Sequence, residues 1–452
     1  MQAEKTFPRS SNSALKILTG SFVSFLIFTL SLHAEIINVP DDFETIQAAI
    51  NESEDGDTVL VQPGEYVENI NFEGRDIVVM GNPDDPTEVV IDGDENGSVV
   101  TFESEEGHDA ILTGFTIRNG VAETGGGIFC NNADPTISYC LVTENTATQS
   151  YGGGIFCHTS DVIIIHCIFR DNEASRLGGG GLGFMSNSNP TISFCSITDN
   201  NAIHSAGIYF HHRIDAIVTN CTISNNTADN YGGGIRLAAE CRVTLINSIL
   251  WDNTPQEASV ISNDILTVSY SDINGGRNGI QLSEDAQLNW DEGNIDEDPL
   301  FVDREEGDYN LSEDSPCIDA GTAFFVWEGD TLVDIPEDEY NGNAPDMGAF
   351  ESEFTDVTDD LVELPDEFRL HPAFPNPFNS STELRFDLPA ASDVTLKIYD
   401  LTGREVLFLT DNLFVSGRYE VTWNASDMPS GIYLARLEAS GYKQTAKLIL
   451  VR

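Results

Sequence analysis

The chain reads YGGGIFC at 151–157 and YGGGIRL at 231–237, with TGGGIFC (124–130), GGGGLGF (178–184) and SAGIYF (205–210) as related stretches. In each stretch an apolar residue follows the glycines. These residues are Ile128, Ile155, Leu182, Ile208 and Ile235, at steps of 27, 27, 26 and 27 residues. A fixed period of this length predicts one structural unit that is repeated along the chain.

Two further columns of residues keep the same period. The first consists of small residues, mostly cysteines: Gly114, Cys140, Cys167, Cys195, Cys221 and Ser248. The second lies five residues further on and consists of asparagines: Asn119, Asn145, Asn172, Asn200, Asn226 and Asn253. Three columns in register indicate that equivalent residues of successive repeats lie on top of one another.

Each repeat is predicted to contain short β-strands. Apolar and polar residues alternate in TISYC (136–140), TISFC (191–195) and IVTNC (217–221), and β-branched and aromatic residues dominate these runs. Glycines and clusters of Asn, Asp and Ser separate them. We therefore predict an all-β chain whose main part is a β-solenoid of short parallel strands, stacked coil on coil.

The solenoid assigns a place to each column. Adjacent coils lie about 4.8 Å apart, so equivalent side chains stack on one another. The Ile128 and Cys140 columns are predicted to point inward, and Cys130 and Cys157 form a second inward cysteine pair. Reduced thiols pack there as small hydrophobic groups, although stacked thiols in an exported protein could also form disulfides. The asparagines are predicted to hold the turns through amide hydrogen bonds along the coil axis.

Residues 39–70 precede the repeats. TIQAAI (45–50) has apolar residues at helical spacing, and DTVLV (57–61) begins the strands. An amphipathic helix here is predicted to cap the open end of the first coil and protect its edge. On TIQAAI and GDTVLVQPGEY (56–66) the chain resembles the right-handed parallel β-helix proteins of the pectin-lyase-like superfamily. The resemblance implies that fold for the predicted domain at residues 35–293.

The segment at 294–352 is acidic and aperiodic. It resembles the closing segment of bacterial surface β-helix proteins with a choice-of-anchor architecture, which implies that it finishes the solenoid and covers its last coil. Its carboxylates could hold Ca²⁺, which prefers several oxygen ligands on a turn; the alternative is a solvated acidic cap. The calcium candidates are Asp296, Asp298, Asp303 and Asp308. No other cofactor is predicted.

A separate C-terminal domain is predicted at residues 368–452, after an acidic linker at 353–367. Strand-like runs alternate there with the turn signals LTGR (401–404), MPSG (428–431) and ASGY (439–442). Short strands at this spacing predict a small antiparallel β-sandwich.

This domain carries several motifs in order: PNPFN (375–379), IYDLTGREV (398–406), SGRYEVTW (416–423) and SGIYLARL (430–437). On them it resembles the type A C-terminal sorting domain of cargo for the type IX (Por) secretion system. The motif residues are Pro375, Asn376, Pro377, Phe378, Asn379, Gly403, Arg404, Gly431 and Tyr433. The resemblance implies a diderm bacterium, the type IX machinery as a partner, and a protein that is secreted or attached to the outer-membrane surface.

The first 34 residues are predicted to be a secretory signal peptide. Lys5, Arg9 and Lys16 precede the apolar run at 17–34, and cleavage is predicted after Ala34. An uncleaved membrane anchor is the alternative. No second apolar run of this length follows, so no integral membrane segment is expected after removal of the signal.

The charge balance limits the possible partners. The chain has 75 acidic residues against 21 Lys plus Arg, which gives a formal net charge of −54. Nucleic acids and anionic membranes repel such a polyanion. We therefore predict neither as a partner.

Aromatic and imidazole side chains recur on the predicted outer face of the strands that follow the glycines. Sugar rings stack on such faces, and His–Asp pairs can move protons. The alternative is that a loop covers these side chains. The candidate glycan-contact residues are Phe129, Phe156, His158, Tyr209, His211, His212 and Arg213.

The sequence offers little sign of catalysis. No lysine lies between Lys16 and Lys397, so the solenoid has no lysine base for eliminative cleavage. The carboxylate motifs that polygalacturonases carry are missing. We therefore predict a non-catalytic surface protein that binds extracellular glycans or acts as an adhesin. The alternatives are a polysaccharide lyase or glycoside hydrolase, and a structural stalk without a ligand.

Overall fold

Four parallel sheets run side by side along the main part of the chain. The computed structural model describes residues 34–354 except 328 and 338, and residues 368–451 except 372, 374, 390, 391, 415, 416 and 427. The predicted signal peptide (1–34) and acidic linker (353–367) lie almost wholly outside these residues. Within the described residues, no helix is long and apolar enough to cross a membrane.

Each coil contributes a strand to these sheets in turn, and all neighbours within a sheet are parallel. Sheet 1 comprises Ile36–Val39, Thr58–Val61, Val78–Met80, Ile111–Thr113, Thr136–Ser138, Ile163–Ile165, Thr191–Ser193, Asp215–Thr219, Arg242–Ile246, Ile265–Ser269 and Gln287–Trp290. Sheet 2 comprises Gly64–Val67, Val89–Asp92, Thr116–Arg118, Leu141–Thr143, Ile168–Arg170, Ser196–Thr198, Thr222–Ser224, Ile249–Trp251 and Asp272–Ile273.

The remaining two sheets complete each coil. Sheet 3 is short and comprises Val121–Ala122, Thr146–Ala147, Glu173–Gly178, Asn201–His204 and Thr227–Ala228. Sheet 4 comprises Ile70–Asn71, Val100–Phe102, Ile128–Asn131, Ile155–His158, Leu182–Met185, Ile208–His211, Ile235–Ala238, Ala258–Val260 and Ile280–Leu282. The predicted parallel β-solenoid is confirmed.

The interior is built from the columns that the sequence repeats. Ile128, Ile155, Leu182, Ile208 and Ile235 pair in register and are fully buried. Burying one such side chain stabilises the fold by about 1.5–3 kcal/mol. Cys140, Cys167, Cys195 and Cys221 form a second buried column. All eight cysteines are buried free thiols, including the six that the sequence assigns to inward columns.

The asparagine column forms a buried hydrogen-bond ladder. Nδ2 of each asparagine donates to Oδ1 of the next, from Asn145 through Asn172, Asn200 and Asn226 to Asn253, at 3.1, 3.1, 2.9 and 2.9 Å. The backbone N–H of each donates to the same oxygen at 3.0–3.2 Å. The ladder ends where Nδ2 of Asn253 donates to Oε2 of Glu257 at 2.6 Å.

The predicted column members Gly114 and Asn119 are wrong by one position. Thr116 pairs with Leu141, so Phe115 takes the place of Cys140 and Gly120 that of Asn145. The step between these coils is therefore 25 residues, and Asn119 has a positive φ of 56° and donates to Asp92 instead.

A short α-helix, Ile46–Glu52, precedes the repeats. Oγ1 of Thr45 accepts from the Ala48 N–H, and the Glu68 carboxylate accepts from the N–H groups of Ile46 and Gln47. These acceptors satisfy donors that a helix start leaves free. The helix buries Ile46 and Ile50 in the solenoid core. Its role as an end cap stays a prediction. The two 3₁₀ turns are Pro86–Glu88 and Gly276–Gly279.

The acidic closing segment packs along the side of the solenoid. It contains two hairpins, Phe301–Asp303 with Asp308–Leu311 and Phe324–Trp327 with Asp330–Asp334. Leu311, Cys317 and Met347 bury Ile249 on the outer face of sheet 2. The Tyr309 hydroxyl donates to Asp199, and the Ala349 N–H donates to Oγ1 of Thr222. These contacts lie on a lateral sheet, and the predicted cover over the last coil stays a prediction.

The second compact unit contains residues 338–344 and the chain from 352 onward. It has a three-stranded antiparallel sheet of Arg369–Leu370, Ser381–Leu388 and Gly417–Asn424. A four-stranded antiparallel sheet comprises Ser392–Asp400, Glu405–Phe414, Gly431–Ala439 and Tyr442–Leu450. Both sheets contribute to one buried core around Trp423, as a β-sandwich requires. The predicted domain boundaries themselves stay predictions.

The ladder predicts a sharp difference between two adjacent asparagines. Asn200→Ala leaves the buried backbone N–H of Asn172 without its acceptor and removes the amide bonds to Asn226 and to the Phe169 carbonyl, so the free energy of unfolding should fall by about 3 kcal/mol. Asn201→Ala removes an exposed side chain and should change the free energy of unfolding by less than about 0.5 kcal/mol. Urea unfolding followed by circular dichroism measures both, and equal losses would contradict the ladder's role.

The end of the ladder predicts a pH dependence of stability. Burial raises the pKa of Glu257 to about 7, against the hydrogen bonds from Asn253. The folded state therefore holds a proton that the unfolded state releases, and stability falls as pH rises from about 4.5 to 7.

Glu257→Gln keeps an acceptor oxygen and cannot ionise, so it should reduce this fall and raise stability at pH 8 by about 1–3 kcal/mol. Glu284→Gln, which changes an exposed glutamate, is the control. Unfolding midpoints at pH 5, 6, 7 and 8 measure the effect. A Glu257→Gln profile parallel to that of the unmodified protein would refute the assignment.

Candidate functional site

The outer face of sheet 4 carries the aromatic side chains that the sequence singles out. Side chains alternate in direction along a strand, so the residue after each buried Ile128-type position faces outward. Register places Phe129, Phe156, Gly183, Tyr209 and Arg236 in one outward column. The Phe129 and Phe156 rings stack with centroids 6.0 Å apart.

Tyr151 fills the gap that Gly183 leaves in this column. It enters from the turn before Ile155–His158, and its ring centroid lies 6.4 Å from that of Phe156 and 5.3 Å from that of Tyr209. A Cβ atom on Gly183 would lie 3.0 Å from Cβ of Tyr151. The glycine therefore makes room for a ring supplied by a neighbouring turn.

The column continues through a cation–π contact. Cζ of Arg236 lies 5.6 Å from the ring centroid of Tyr209 and 4.1 Å from that of Tyr231. Tyr231 precedes the last glycine run as Tyr151 precedes an earlier one, and its ring lies 5.6 Å from that of His204. The ring centroid of His211 lies 5.6 Å from that of Tyr209. We call this set the sheet 4 strip: Phe129, Phe156, Tyr151, Tyr209, Tyr231, His204, His211 and Arg236.

The strip concentrates unsatisfied polar atoms. The described part of the chain has eight buried side-chain nitrogen or oxygen atoms without a hydrogen-bond partner, and four of them lie here. They are Nδ1 of His204, Nδ1 of His211, and Nε and Nη1 of Arg236. A buried polar atom without a partner costs about 1–3 kcal/mol, so each of these atoms calls for a partner that water or a ligand can supply.

Burial also sets the ionisation of these groups. It raises the pKa of Tyr209 to about 12 and lowers the pKa of His204. Burial, followed by the positive charges of His212 and Arg236, lowers the pKa of His211. At neutral pH both imidazoles are therefore uncharged, and each offers one donor and one acceptor.

The structure brings together some of the candidate residues and separates others. Phe129, Phe156, Tyr209 and His211 lie in the strip. His158 lies on the same sheet, with Nδ1 3.2 Å from Oδ1 of Asn131.

Two further candidates lie beside the strip, and the ring centroid of His212 is 6.4 Å from that of His211. His212 and Arg213 occupy the turn after the strand, both with positive φ. Nε of Arg213 pairs with Glu240 at 3.1 Å, so its charge is directed to the neighbouring turn. Sequence reasoning missed Tyr151, Tyr231 and His204 as site residues; the tyrosine that opens two of the glycine runs was the available signal.

The calcium candidates do not gather into a site. Asp296 accepts from the Gly275 N–H, Asp298 from Leu300 and Asp308 from Asn310, and Asp303 accepts from Glu306. Three of these carboxylates accept within a local turn, and Asp296 accepts from a residue 21 positions earlier in the chain. Among the described residues, no group of three or more His, Cys, Asp or Glu could hold a metal ion.

The PNPFN motif ties the start of the second unit to its last strand. Asn376 donates to the Lys447 carbonyl and accepts from the Ile449 N–H. Phe378 is buried edge-on against Trp423 with ring centroids 5.3 Å apart. The carbonyl of Pro375 accepts from the Thr382 hydroxyl, while Pro377 and Asn379 are exposed.

The other motif residues shape turns and core. Gly403 has a φ of +82°, which suits glycine in a tight turn, and Nε of Arg404 pairs with Asp400 at 3.0 Å. Gly431 opens a strand, and the Tyr433 ring packs edge-on against Trp423. The motif residues therefore have structural roles within this unit.

Comparison with known proteins gives two family matches. Residues 98–294 match the family described as "Right handed beta helix region", and residues 372–451 match "Secretion system C-terminal sorting domain". No curated protein matches the chain.

Two solved structures are similar at low identity. A pectin methylesterase mutant in complex with a hexasaccharide is 12% identical, with a TM-score of 0.26, over 62% of this chain and 93% of that one. The enzymatically active domain of tailspike protein 2 of bacteriophage CBA120 is 10% identical, with a TM-score of 0.25, over 92% of this chain and 76% of that one.

The sorting domain marks the chain as cargo of the type IX secretion machinery. Such cargo is exported to the cell surface or the extracellular space of diderm bacteria of the Bacteroidetes type. The chain therefore carries a right-handed β-helix region at residues 98–294 and a secretion-system C-terminal sorting domain at residues 372–451.

Proposed function

We propose that this exported protein binds an extracellular glycan along the sheet 4 strip. The observation that carries the proposal is the coincidence of stacked rings with four buried, unpartnered nitrogen atoms in His204, His211 and Arg236. Aromatic rings contact the C–H faces of sugars, and the nitrogen atoms would bond to sugar hydroxyls. The rings would therefore supply the apolar contacts and the nitrogen atoms the hydrogen bonds.

The direction of the strip supports a chain-like ligand. From Phe129 to Arg236 the outward column crosses four coil steps, which is roughly 19 Å at the spacing between neighbouring strands. A polymer of repeating rings that lies parallel to the solenoid axis would meet the partly exposed rings of Phe129, Tyr151 and Tyr231, whereas Phe156 and Tyr209 are only 7% exposed. A stalk without a ligand has no need of unpaired buried nitrogen atoms at its surface.

Arg236 should be the strongest polar contact. Arg236→Met keeps most of the side chain's length and removes the guanidinium, so binding should weaken at least tenfold, as expected for loss of hydrogen bonds from a charged donor. The matched control is Arg242→Met, which changes an exposed arginine on sheet 1. Affinity gel electrophoresis against a panel of extracellular polysaccharides measures the change in mobility.

The same incubations test for catalysis. New reducing ends or unsaturated uronate absorbance that disappear in Arg236→Met would replace the binding proposal with an enzymatic one. Retardation of the unmodified protein that persists in Arg236→Met would place the glycan elsewhere.

Tyr151 should supply the central ring. Tyr151→Ala opens the space above Gly183 and interrupts the strip, so glycan affinity should fall about five- to tenfold through loss of ring contact. Tyr139→Ala removes an exposed tyrosine that stacks on His166 on another face and should leave affinity unchanged. Isothermal titration with oligosaccharides from the retarding polymer compares the two variants, and an equal loss in both would contradict the assignment.

The second unit predicts the route of export. Deleting residues 372–451 removes the sorting domain, so the protein should accumulate in the periplasm of a bacterium with a type IX system. Immunoblots of periplasm, outer membrane and medium measure its distribution against the full chain. Undiminished appearance at the cell surface or in the medium would contradict this role.

A further inference from the structure

A cavity of ≈ 280 Å³ lies on the outer face of sheet 2. Thr116 and Leu141 are register partners on its floor, and Arg118, Thr143 and Arg170 form the neighbouring column. Ligand pockets usually measure roughly 300–1,000 Å³. The cavity volume lies just below this range, so the cavity suits a single ring better than a chain.

The two arginines of the cavity differ in how they are held. Nε of Arg118 pairs with Asp92 at 2.9 Å, and its Nη2 pairs with Glu65 at 2.8 Å. Nε of Arg170 lies 4.0 Å from Oδ2 of Asp171. This buried nitrogen atom has no hydrogen-bond partner among the described residues. Two ion pairs therefore hold the Arg118 side chain in place, whereas Nε of Arg170 is a hydrogen-bond donor without an acceptor in the described part of the protein.

The closing segment approaches one of the cavity's lining residues, Arg170. A Cβ atom on Gly307 would lie 3.4 Å from Nη1 of Arg170. On later coils the outward side chains of Thr198, Thr222 and Ser224 are about 1% exposed, in the region where Tyr309 and Ala349 bond to sheet 2. The cavity thus lies where this covering ends.

Two arginines and two carboxylates line the cavity, and one of the arginines, Arg118, is already paired with Asp92 and Glu65. Arg118 and Arg170 face Glu144 and Asp171, in a chain whose formal net charge is −54. A neutral ligand enters such a site without the repulsion that an anion meets. Leu141, which is 8% exposed, offers an apolar surface below these polar groups.

We propose that this cavity binds one neutral sugar ring. The hydroxyls of the sugar donate to the Asp171 carboxylate and accept from Arg170 and the Thr143 hydroxyl. The C–H face of the sugar lies on Leu141. The site is on sheet 2 and the sheet 4 strip is on another sheet, so the proposal goes beyond the proposed function and does not rest on it.

Saturation-transfer NMR of the full chain tests the proposal with methyl glucoside, methyl mannoside, methyl galactoside and, as the anionic comparison, methyl galacturonoside. At least one neutral glycoside should receive saturation. Leu141→Trp, which fills the floor, should reduce that signal at least fivefold. Arg170→Met and the isosteric Thr143→Val should each weaken binding about tenfold. Thermal unfolding checks that each variant is folded. If Leu141→Trp does not fold, the binding measured for Thr143→Val decides the test.

Tyr151→Ala separates this site from the sheet 4 strip. This variant should keep the saturation transfer to the neutral glycoside, and that transfer should still weaken when Thr143→Val is added. Both results are expected even if glycan binding at the strip fails. The proposal is overturned if no neutral glycoside receives saturation, if the signal survives in Leu141→Trp and Thr143→Val, or if only the galacturonoside binds.

Discussion

Register between parallel coils is the constraint on which the structure depends. A coil cannot bury its own inner face, so each apolar side chain must meet an equivalent one in the next coil. The backbone ladders fix that alignment, and the Asn145–Asn253 amide ladder fixes it again at a corner. A shift of one residue in one coil would turn its apolar side chains outward and break the amide ladder at once.

The same register builds the outer surface. Outward residues of successive coils must also form columns, so one aromatic residue per repeat produces a continuous strip. Where Gly183 interrupts the column, Tyr151 restores it from a neighbouring turn. The unpaired nitrogen atoms of His211 and Arg236 cost stability. Such a cost is typical of sites where a fold keeps groups for a ligand.

Much of this architecture could be predicted from the sequence because the repeat period shows which residues stack. The Ile128 column, the cysteine column and most of the asparagine ladder follow from spacing alone. Gly114 and Asn119 were misplaced because their coil is two residues shorter than the 27-residue period, and only backbone pairing reveals the shift.

Other features depend on contacts that spacing does not encode. Tyr151 reaches the strip from a turn, and Arg213 turns toward Glu240. The closing segment has no period, so its course along sheet 2 could not be read from its residues. The unsatisfied nitrogen atoms of the strip emerge only when every hydrogen bond around them is known.

Distances between spin labels on sheet 1 test the stacking most directly. Thr136 and Thr244 are separated by four coil steps, and Thr58 and Thr244 by seven. Cysteines introduced at these positions can be labelled while the eight native thiols remain buried. Pulsed electron paramagnetic resonance should give distances near 19 and 34 Å, an increment of about 4.8 Å per coil. Distances that do not grow with the number of coils would contradict the parallel stack and every surface column derived from it.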